Sequence, residues 1–93
     1  MKTFDELEFL DHPICATPIY RGAKQATMDF DNGYGISVIF GKMFYSNGID
    51  TYEAAILYNG SITYSSGLCD DVAGYITKQE VTELMRRIQE LPK

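Results

Sequence analysis

Several residue types that define whole classes of proteins are scarce in this chain of 93 residues. Its single histidine, His12, excludes a metal site built from several histidines. Its two cysteines, Cys15 and Cys69, form no Cys-x-x-Cys pair, and we expect both to be reduced thiols. Uninterrupted apolar runs such as residues 38–40 are only a few residues long, whereas a membrane span needs about 20.

Basic residues are also scarce. Eight Lys and Arg stand against thirteen Asp and Glu, which gives a formal net charge of −5. This balance disfavours direct binding to nucleic acid or to an anionic membrane, and it attracts a partner with a basic surface at long range. The charged N-terminal sequence has no apolar signal core, which predicts a cytoplasmic protein.

Three Asn-Gly dipeptides organise the middle of the chain. Asn and Gly tolerate the positive φ angles of a two-residue type I′ hairpin turn, so each dipeptide predicts a turn between two strands. The predicted turns lie at residues 32–33, 47–48 and 59–60, and the predicted strands cover residues 24–31, 34–45, 49–58 and 61–66. The middle turn has an open alternative, a wider loop around residues 46–50. Leu7 and Phe9 alternate with glutamates and predict a further short strand.

The C-terminal segment changes to a helical period. Thr77 and Glu80 have the spacing of a capping box, and apolar residues then recur along one stripe from Val81 to Leu91. We therefore predict a helix over residues 78–91. The predicted fold is a single α+β domain over residues 1–93, in which an antiparallel meander sheet of four to five strands carries this one helix on one face.

The chain contains only partial matches to motifs for catalysis or cofactor binding. Asp29 could open a calcium loop, but glycine then falls at the fifth position and Phe40 stands where a bidentate glutamate is needed. Gly33-Tyr34-Gly35 opens a strand and lacks the remaining residues of a phosphate loop. A nucleophile pair of His12 with either cysteine lacks any oxyanion motif. We therefore predict no enzyme activity, no cofactor and no metal site.

What remains is a surface of acids interspersed with tyrosines. Tyrosine offers a flat apolar body and a hydroxyl group, and it is favoured at protein interfaces. An ordinary solvated sheet surface has a similar composition. The predicted partner-binding residues are Asp29, Asp31, Tyr45, Asp50, Tyr52, Glu53, Asp70 and Asp71.

The chain resembles a group of short proteins encoded in phages and prophages. The resemblance lies in residues 1–9, 30–38, 51–57, 70–75 and 81–85. Many small phage proteins bind and inhibit host machinery, anti-CRISPR proteins among them, so the resemblance implies a binding protein acting in the host cytoplasm.

Three hypotheses follow from the sequence. The leading one is a small acidic non-enzymatic protein that inhibits a host protein, such as a nuclease or defence effector, by occluding a basic surface. The alternative is a homo-oligomeric structural or regulatory protein assembled through sheet edges or faces. The third is a small hydrolase or ligand-binding protein, which needs a pocket with convergent polar groups.

Overall fold

The structure, a computed structural model, describes residues 1–13, 21–63 and 73–92. Within these ranges one open antiparallel sheet of six strands carries one helix, which confirms the predicted α+β class. The elements are a 3-10 turn (Phe4–Glu6), β1 (Leu10–Asp11), β2 (Lys24–Asp29), β3 (Tyr34–Phe40), β4 (Tyr52–Tyr58), β5 (Ser61–Ile62), β6 (Ala73–Ile76) and α1 (Lys78–Gln89).

The first five strands follow one another as a meander, in the order β1-β2-β3-β4-β5. The sixth was not predicted. It returns to the edge of β4, where Tyr52 pairs with Ile76 and Ala54 with Ala73 across an irregular register. The strand β5 shares that edge through Leu57 and Tyr58. Because β6 leads directly into α1, the helix starts beside the sheet that it covers.

The Asn-Gly turns do not share one geometry. The turn at Asn59 and Gly60 has φ angles of 52° and 84°, which confirms the type I′ prediction. The same prediction at residues 32–33 is wrong, since only Gly33 has a positive φ there. The loop has three residues, and the N–H of Phe30 donates to the Tyr34 carbonyl at 2.7 Å. The Asn32 side chain instead donates hydrogen bonds to the carbonyls of Ile88 and Leu91.

The predicted strand ends around the middle turn are also wrong. The strand β3 ends at Phe40 rather than Tyr45, and β4 begins at Tyr52 rather than Ile49. Residues 41–51 form a connecting loop, so the wider-loop alternative is closer to the structure. Side chains within this loop, rather than a neighbouring strand, satisfy several of its backbone groups.

Two other predicted strands differ in position. Near the N-terminus the strand lies at Leu10–Asp11, and Phe9 packs against the core instead. Of the predicted strand over residues 61–66, Ser61–Ile62 is a strand, while residues 64–66 lie outside the described part of the chain.

The core lies between the sheet and α1. On β3 alternate residues face the helix, and Ile36 and Val38 are fully buried against it. From α1, Val81, Met85 and Ile88 are 0% exposed. At roughly 1.5–3 kcal/mol each, these three helical side chains contribute about 5–9 kcal/mol of gross stabilisation, which is comparable with the net stability of a small domain.

Hydrogen bonds cap both ends of α1. The capping box at its start is confirmed, with the Thr77 hydroxyl accepting from the Glu80 N–H at 3.2 Å and the Glu80 carboxylate accepting from the Thr77 N–H at 3.0 Å. At its end, the Asn32 amide donates to the carbonyls of Ile88 and Leu91 at 2.8 and 2.9 Å. The β2–β3 turn therefore caps the helix C-terminus.

Candidate functional site

The structure separates the predicted acidic residues into two groups. Asp29 pairs opposite Gly35 at one end of β3, whereas Glu53 pairs opposite Ile39 near the other end. These two positions are about 13 Å apart at a strand rise of about 3.3 Å per residue. Asp31 and Asp50 lie in the connections beyond these ends; Asp70 and Asp71 lie outside the described residues.

The prediction that Tyr52 is a partner-binding surface residue is wrong. Its side chain is 8% exposed, and its ring lies 5.0 Å from that of Phe4 and 5.2 Å from that of Phe40. Burial raises the pKa of the Tyr52 phenol, with a smaller contribution from the charge on Asp50. Because its pairing with Ile76 places it on the helix-facing side of the sheet, Tyr52 is a core residue rather than a contact residue.

Ser46 organises the loop of residues 41–51. Its hydroxyl, in a residue only 2% exposed, donates to the Thr51 carbonyl at 2.6 Å. The same oxygen accepts from the N–H groups of Gly41 at 3.2 Å and Gly48 at 3.1 Å. One buried hydroxyl thus joins the two ends and the tip of the loop, so the loop has a defined shape without strand pairing.

Asn47 adds a second set of bonds at the loop tip. Its side-chain oxygen accepts from the N–H groups of Ile49, Asp50 and Thr51 at 2.9, 3.0 and 3.1 Å. Its amide nitrogen donates to the Asp50 carboxylate at 2.8 Å. These bonds fix the backbone that presents Asp50, and they give Asn47 a role that a two-residue hairpin turn does not require.

An exposed pair of tyrosines lies where this loop meets β6. Tyr45 is 57% exposed and Tyr75 is 60% exposed, and their ring centroids are 6.2 Å apart. The Tyr75 N–H donates to the Tyr45 carbonyl at 2.8 Å, and the Tyr45 N–H donates to the Glu53 carboxylate at 3.1 Å. Backbone bonds therefore hold both tyrosines while leaving their rings in solvent.

The backbone around this pair is unusual. Tyr75 has a φ of 55°, in the left-handed region that a bulky residue rarely adopts. A Cβ atom on Gly74 would lie 2.7 Å from the Cβ of Tyr45, so this close approach requires glycine. Strained backbone of this kind clusters at functional sites, which makes the Tyr45–Tyr75 pair the candidate site.

Two further apolar side chains of the same loop are exposed, Met43 at 44% and Ile49 at 79%. Together with the tyrosine pair and the two acids of this end, they form what we call the tyrosine surface. It consists of Met43, Tyr45, Ile49, Asp50, Glu53 and Tyr75. Sequence reasoning missed Tyr75 as a site residue, since the only local signal for it is the preceding glycine.

The other acidic group lines a groove of about 450 Å³ between the N-terminal residues and the β2–β3 turn. Asp29, Asp31 and Glu6 contribute carboxylates, and Lys2 lies 3.7 Å from the Glu6 carboxylate. All three acids are exposed. The structure therefore shows an acidic groove at one end of the sheet and an acidic surface with exposed tyrosines at the other.

No protein-family model, curated protein or solved structure matches this chain. Among residues 1–13, 21–63 and 73–92, no three His, Cys, Asp or Glu side chains lie together as metal ligands do. In the same part of the chain, no helix has both the length and the apolar character needed to cross a membrane.

Proposed function

We propose that this chain is a non-enzymatic binding protein that covers a basic surface on a partner protein and thereby inhibits it. The tyrosine surface is its contact region. The observation that carries the proposal is the exposed pair of Tyr45 and Tyr75, joined by a backbone hydrogen bond and bonded to the Glu53 carboxylate.

The chemistry of this surface suits arginine on the partner. A guanidinium group stacks on the face of a tyrosine ring and forms hydrogen bonds to a carboxylate at its edge. Tyr45 and Tyr75 supply the rings, Glu53 supplies a carboxylate bonded to the Tyr45 N–H, and Asp50 supplies a second carboxylate from the same loop. The net charge of −5 supports attraction to such a partner from a distance.

The resemblance to small phage and prophage proteins extends the proposal to the identity of the partner. In that setting the partner is a host protein with a nucleic-acid-binding surface, such as a nuclease or a defence effector. Such surfaces are rich in Lys and Arg. An acidic protein bound there competes with nucleic acid without binding nucleic acid itself.

The test is comparative affinity purification from a bacterial lysate. The Tyr45→Ala/Tyr75→Ala variant should lose a partner that the unmodified protein retains, with an affinity loss of at least about tenfold, because exposed tyrosines are frequent binding hot spots. Tyr58→Ala is the matched control. Tyr58 is also an exposed tyrosine in a ring pair, with Tyr34 at 4.8 Å, but it lies at the opposite end of β4. Equal retention by all three proteins contradicts the proposal.

Charge is tested with substitutions that keep the hydrogen bonds. Asp50→Asn and Glu53→Gln preserve the acceptors for Asn47 and Tyr45 while removing two negative charges. Together they should slow association with the purified partner in a salt-dependent manner. The matched control removes the same charge through Asp29→Asn and Asp31→Asn. If the control pair slows association more, the contact region is the acidic groove instead of the tyrosine surface.

The homo-oligomeric alternative is favoured by one observation. The strand β1 pairs only with Lys24 and Gln25, so the remaining edge of β2 has no partner strand among the described residues. Unpaired edges can join two copies. Light scattering after size-exclusion chromatography decides this alternative, since a monomer at high concentration contradicts it.

A further inference from the structure

The three Asn-Gly dipeptides, at residues 32–33, 47–48 and 59–60, share a chemical reactivity that is separate from their role in turns. Asparagine is one of the thermolabile residues of proteins. In water, the backbone nitrogen of the next residue can attack the Cγ carbon of the asparagine side chain. Glycine as the next residue favours this attack, because it has no side chain to hinder the approach. The structure then decides which of the three dipeptides reacts.

The reaction needs only water as a co-reactant. A bond forms between the glycine nitrogen and Cγ, the glycine nitrogen gives up its proton, and the side-chain nitrogen leaves as ammonia, so that a cyclic succinimide results. Water then opens the ring at either of its carbonyl carbons, which gives aspartate or isoaspartate. In isoaspartate the main chain runs through Cβ and Cγ. The first step therefore requires a side chain that can rotate and a glycine N–H that is not hydrogen-bonded.

The fold holds the first dipeptide out of this reaction. The Asn32 amide donates to two carbonyls at the end of α1 at 2.8 and 2.9 Å, and its oxygen accepts from the Tyr34 N–H at 3.1 Å. The Gly33 N–H donates to the Phe30 carbonyl at 3.2 Å. Both reacting groups are held by hydrogen bonds, so the ring can close only after a local opening of the structure.

The second dipeptide is held in a similar way. The Asn47 oxygen accepts from the three N–H groups of residues 49–51, and its amide nitrogen donates to a carboxylate of the same loop. The Gly48 N–H donates to the Ser46 hydroxyl at 3.1 Å. A Cβ atom on Gly48 would lie 3.1 Å from the Cβ of Lys42, so the space beside this glycine is also filled.

The third dipeptide differs in each of these respects. Asn59 and Gly60 are exposed in the turn between β4 and β5. Neither the Asn59 side chain nor the Gly60 N–H makes a hydrogen bond within the described part of the chain. Beyond the neighbouring residues, no atom lies within 4 Å of the position that a Cβ on Gly60 would take. The side chain can therefore rotate toward a nitrogen that water also reaches.

We propose that Asn59 is a self-modification site, at which the Gly60 nitrogen converts the asparagine to isoaspartate and aspartate. The fold withholds the same reaction from Asn32 and Asn47, although the dipeptides are identical in sequence. The contrast rests on the hydrogen bonds of the three side chains and of the three glycine N–H groups.

The product should change one edge of the sheet and leave the core intact. Isoaspartate adds a carbon atom to the main chain of the turn that sets the pairing of β4 with β5. Both residues of β5 are exposed, and neither Asn59 nor Gly60 belongs to the core. Modification should therefore release β5 from β4. The Thr63 N–H, which donates to the Ile56 carbonyl at 2.9 Å, reports this release.

The test compares the folded protein with the same protein unfolded in guanidinium chloride, both kept at mildly alkaline pH in water enriched in heavy oxygen. Digestion with pepsin at acidic pH and mass spectrometry with electron-transfer fragmentation then assign each heavy oxygen to one asparagine and separate isoaspartate from aspartate. In the unfolded chain the three asparagines should convert at similar rates. In the folded protein Asn32 and Asn47 should convert at least about tenfold more slowly than when unfolded, whereas the rate at Asn59 should change by less than about threefold.

Ser46→Ala tests the source of the protection at Asn47. It removes the acceptor of the Gly48 N–H. Conversion of Asn47 should rise at least about threefold, while conversion of Asn32 in the same sample should stay unchanged. In unmodified protein aged until Asn59 has converted, hydrogen exchange of the Thr63 amide should be faster than before. Exchange of the Met85 amide, in the core-facing part of α1, should not change.

The outcomes that overturn the proposal are distinct. Equal conversion of the three asparagines in the folded protein contradicts it, and so does slowing of Asn59 by the fold as strong as that of the other two. An unchanged rate at Asn47 in Ser46→Ala, or an equal rise at Asn32, contradicts protection by the serine hydroxyl. Unchanged exchange of Thr63 contradicts the release of β5. The rate at Asn59 is independent of the proposed binding function, because the tyrosine surface lies at the other end of β4.

Discussion

The contact between Asn32 and the end of α1 makes a sharp prediction about stability. The Asn32 side chain donates to the carbonyls of Ile88 and Leu91 and accepts from the Tyr34 N–H at 3.1 Å. Two of these partly buried hydrogen bonds join the β2–β3 turn to the end of the helix, and the third fixes the turn itself. The first two reach carbonyls at the helix C-terminus, that of Leu91 just beyond the helix and that of Ile88, which also accepts from the Leu91 N–H at 3.1 Å.

Asn32→Ala removes all three bonds. At a net value of about 0.5–1.5 kcal/mol each, the free energy of unfolding should fall by about 2–3 kcal/mol. For a domain of this size, that loss lowers Tm by about 10 °C or more. Asn32→Asp should cost more than alanine at neutral pH, because a carboxylate oxygen then faces two carbonyl oxygens at the negative end of the helix dipole.

The pH dependence of Asn32→Asp has a definite sign. The fold disfavours the ionised carboxylate, so the pKa of the introduced group is raised in the folded state. The added destabilisation is present above that raised pKa and disappears below the unfolded value of about 3.9. Urea unfolding across acidic pH measures this. Asn59→Asp is the control, since Asn59 lies in an exposed turn. Equal losses from both aspartate variants would refute the role of Asn32.

Three further predictions concern single side chains. Thr77→Ala should lower the free energy of unfolding by about 1 kcal/mol through loss of the helix cap, whereas Thr77→Ser should not. Equal denaturation midpoints for the two variants would contradict a capping role of the Thr77 hydroxyl. The difference between the ultraviolet pH titrations of the unmodified protein and Tyr52→Phe should show a phenol that ionises above the free value of about 10. The stability due to the protonated phenol is then fully present below pH 10 and is lost as pH rises through the raised pKa. A titration midpoint at or below 10 argues against burial of the phenol. Gly74→Ala should displace Tyr45 and speed hydrogen exchange of the Tyr75 amide, and unchanged exchange speaks against the close contact.

Features set by neighbours in sequence could be predicted. The start of α1 depends on Thr77 and Glu80, three residues apart, and both capping bonds are present as expected. The apolar run of residues 54–57 is typical of a central strand covered on both faces. All four residues are buried, and their strand, β4, has β3 on one side and both β5 and β6 on the other. In each case, local spacing decides the structure.

Features set by distant contacts could not be predicted. The loop of residues 41–51 depends on a serine hydroxyl that binds backbone groups on both sides of it, and a β-rich sequence does not reveal this. Tyr52 shares a face with Ala54 and Ile56, but the strand is apolar on both faces, so the pattern does not say which one meets the helix. Tyr75 takes its conformation beside Tyr45, which lies far away in sequence.

The left-handed backbone of Tyr75 bears on how this protein would respond to selection. Such a conformation costs an ordinary residue about 1–2 kcal/mol, and glycine adopts it freely. Selection of random variants for heat resistance alone should therefore enrich Tyr75→Gly, and the survivors would lack one of the two exposed rings. Under the proposed function, thermal tolerance and partner recognition therefore favour different residues at this position, and tyrosine should persist there only while binding is under selection.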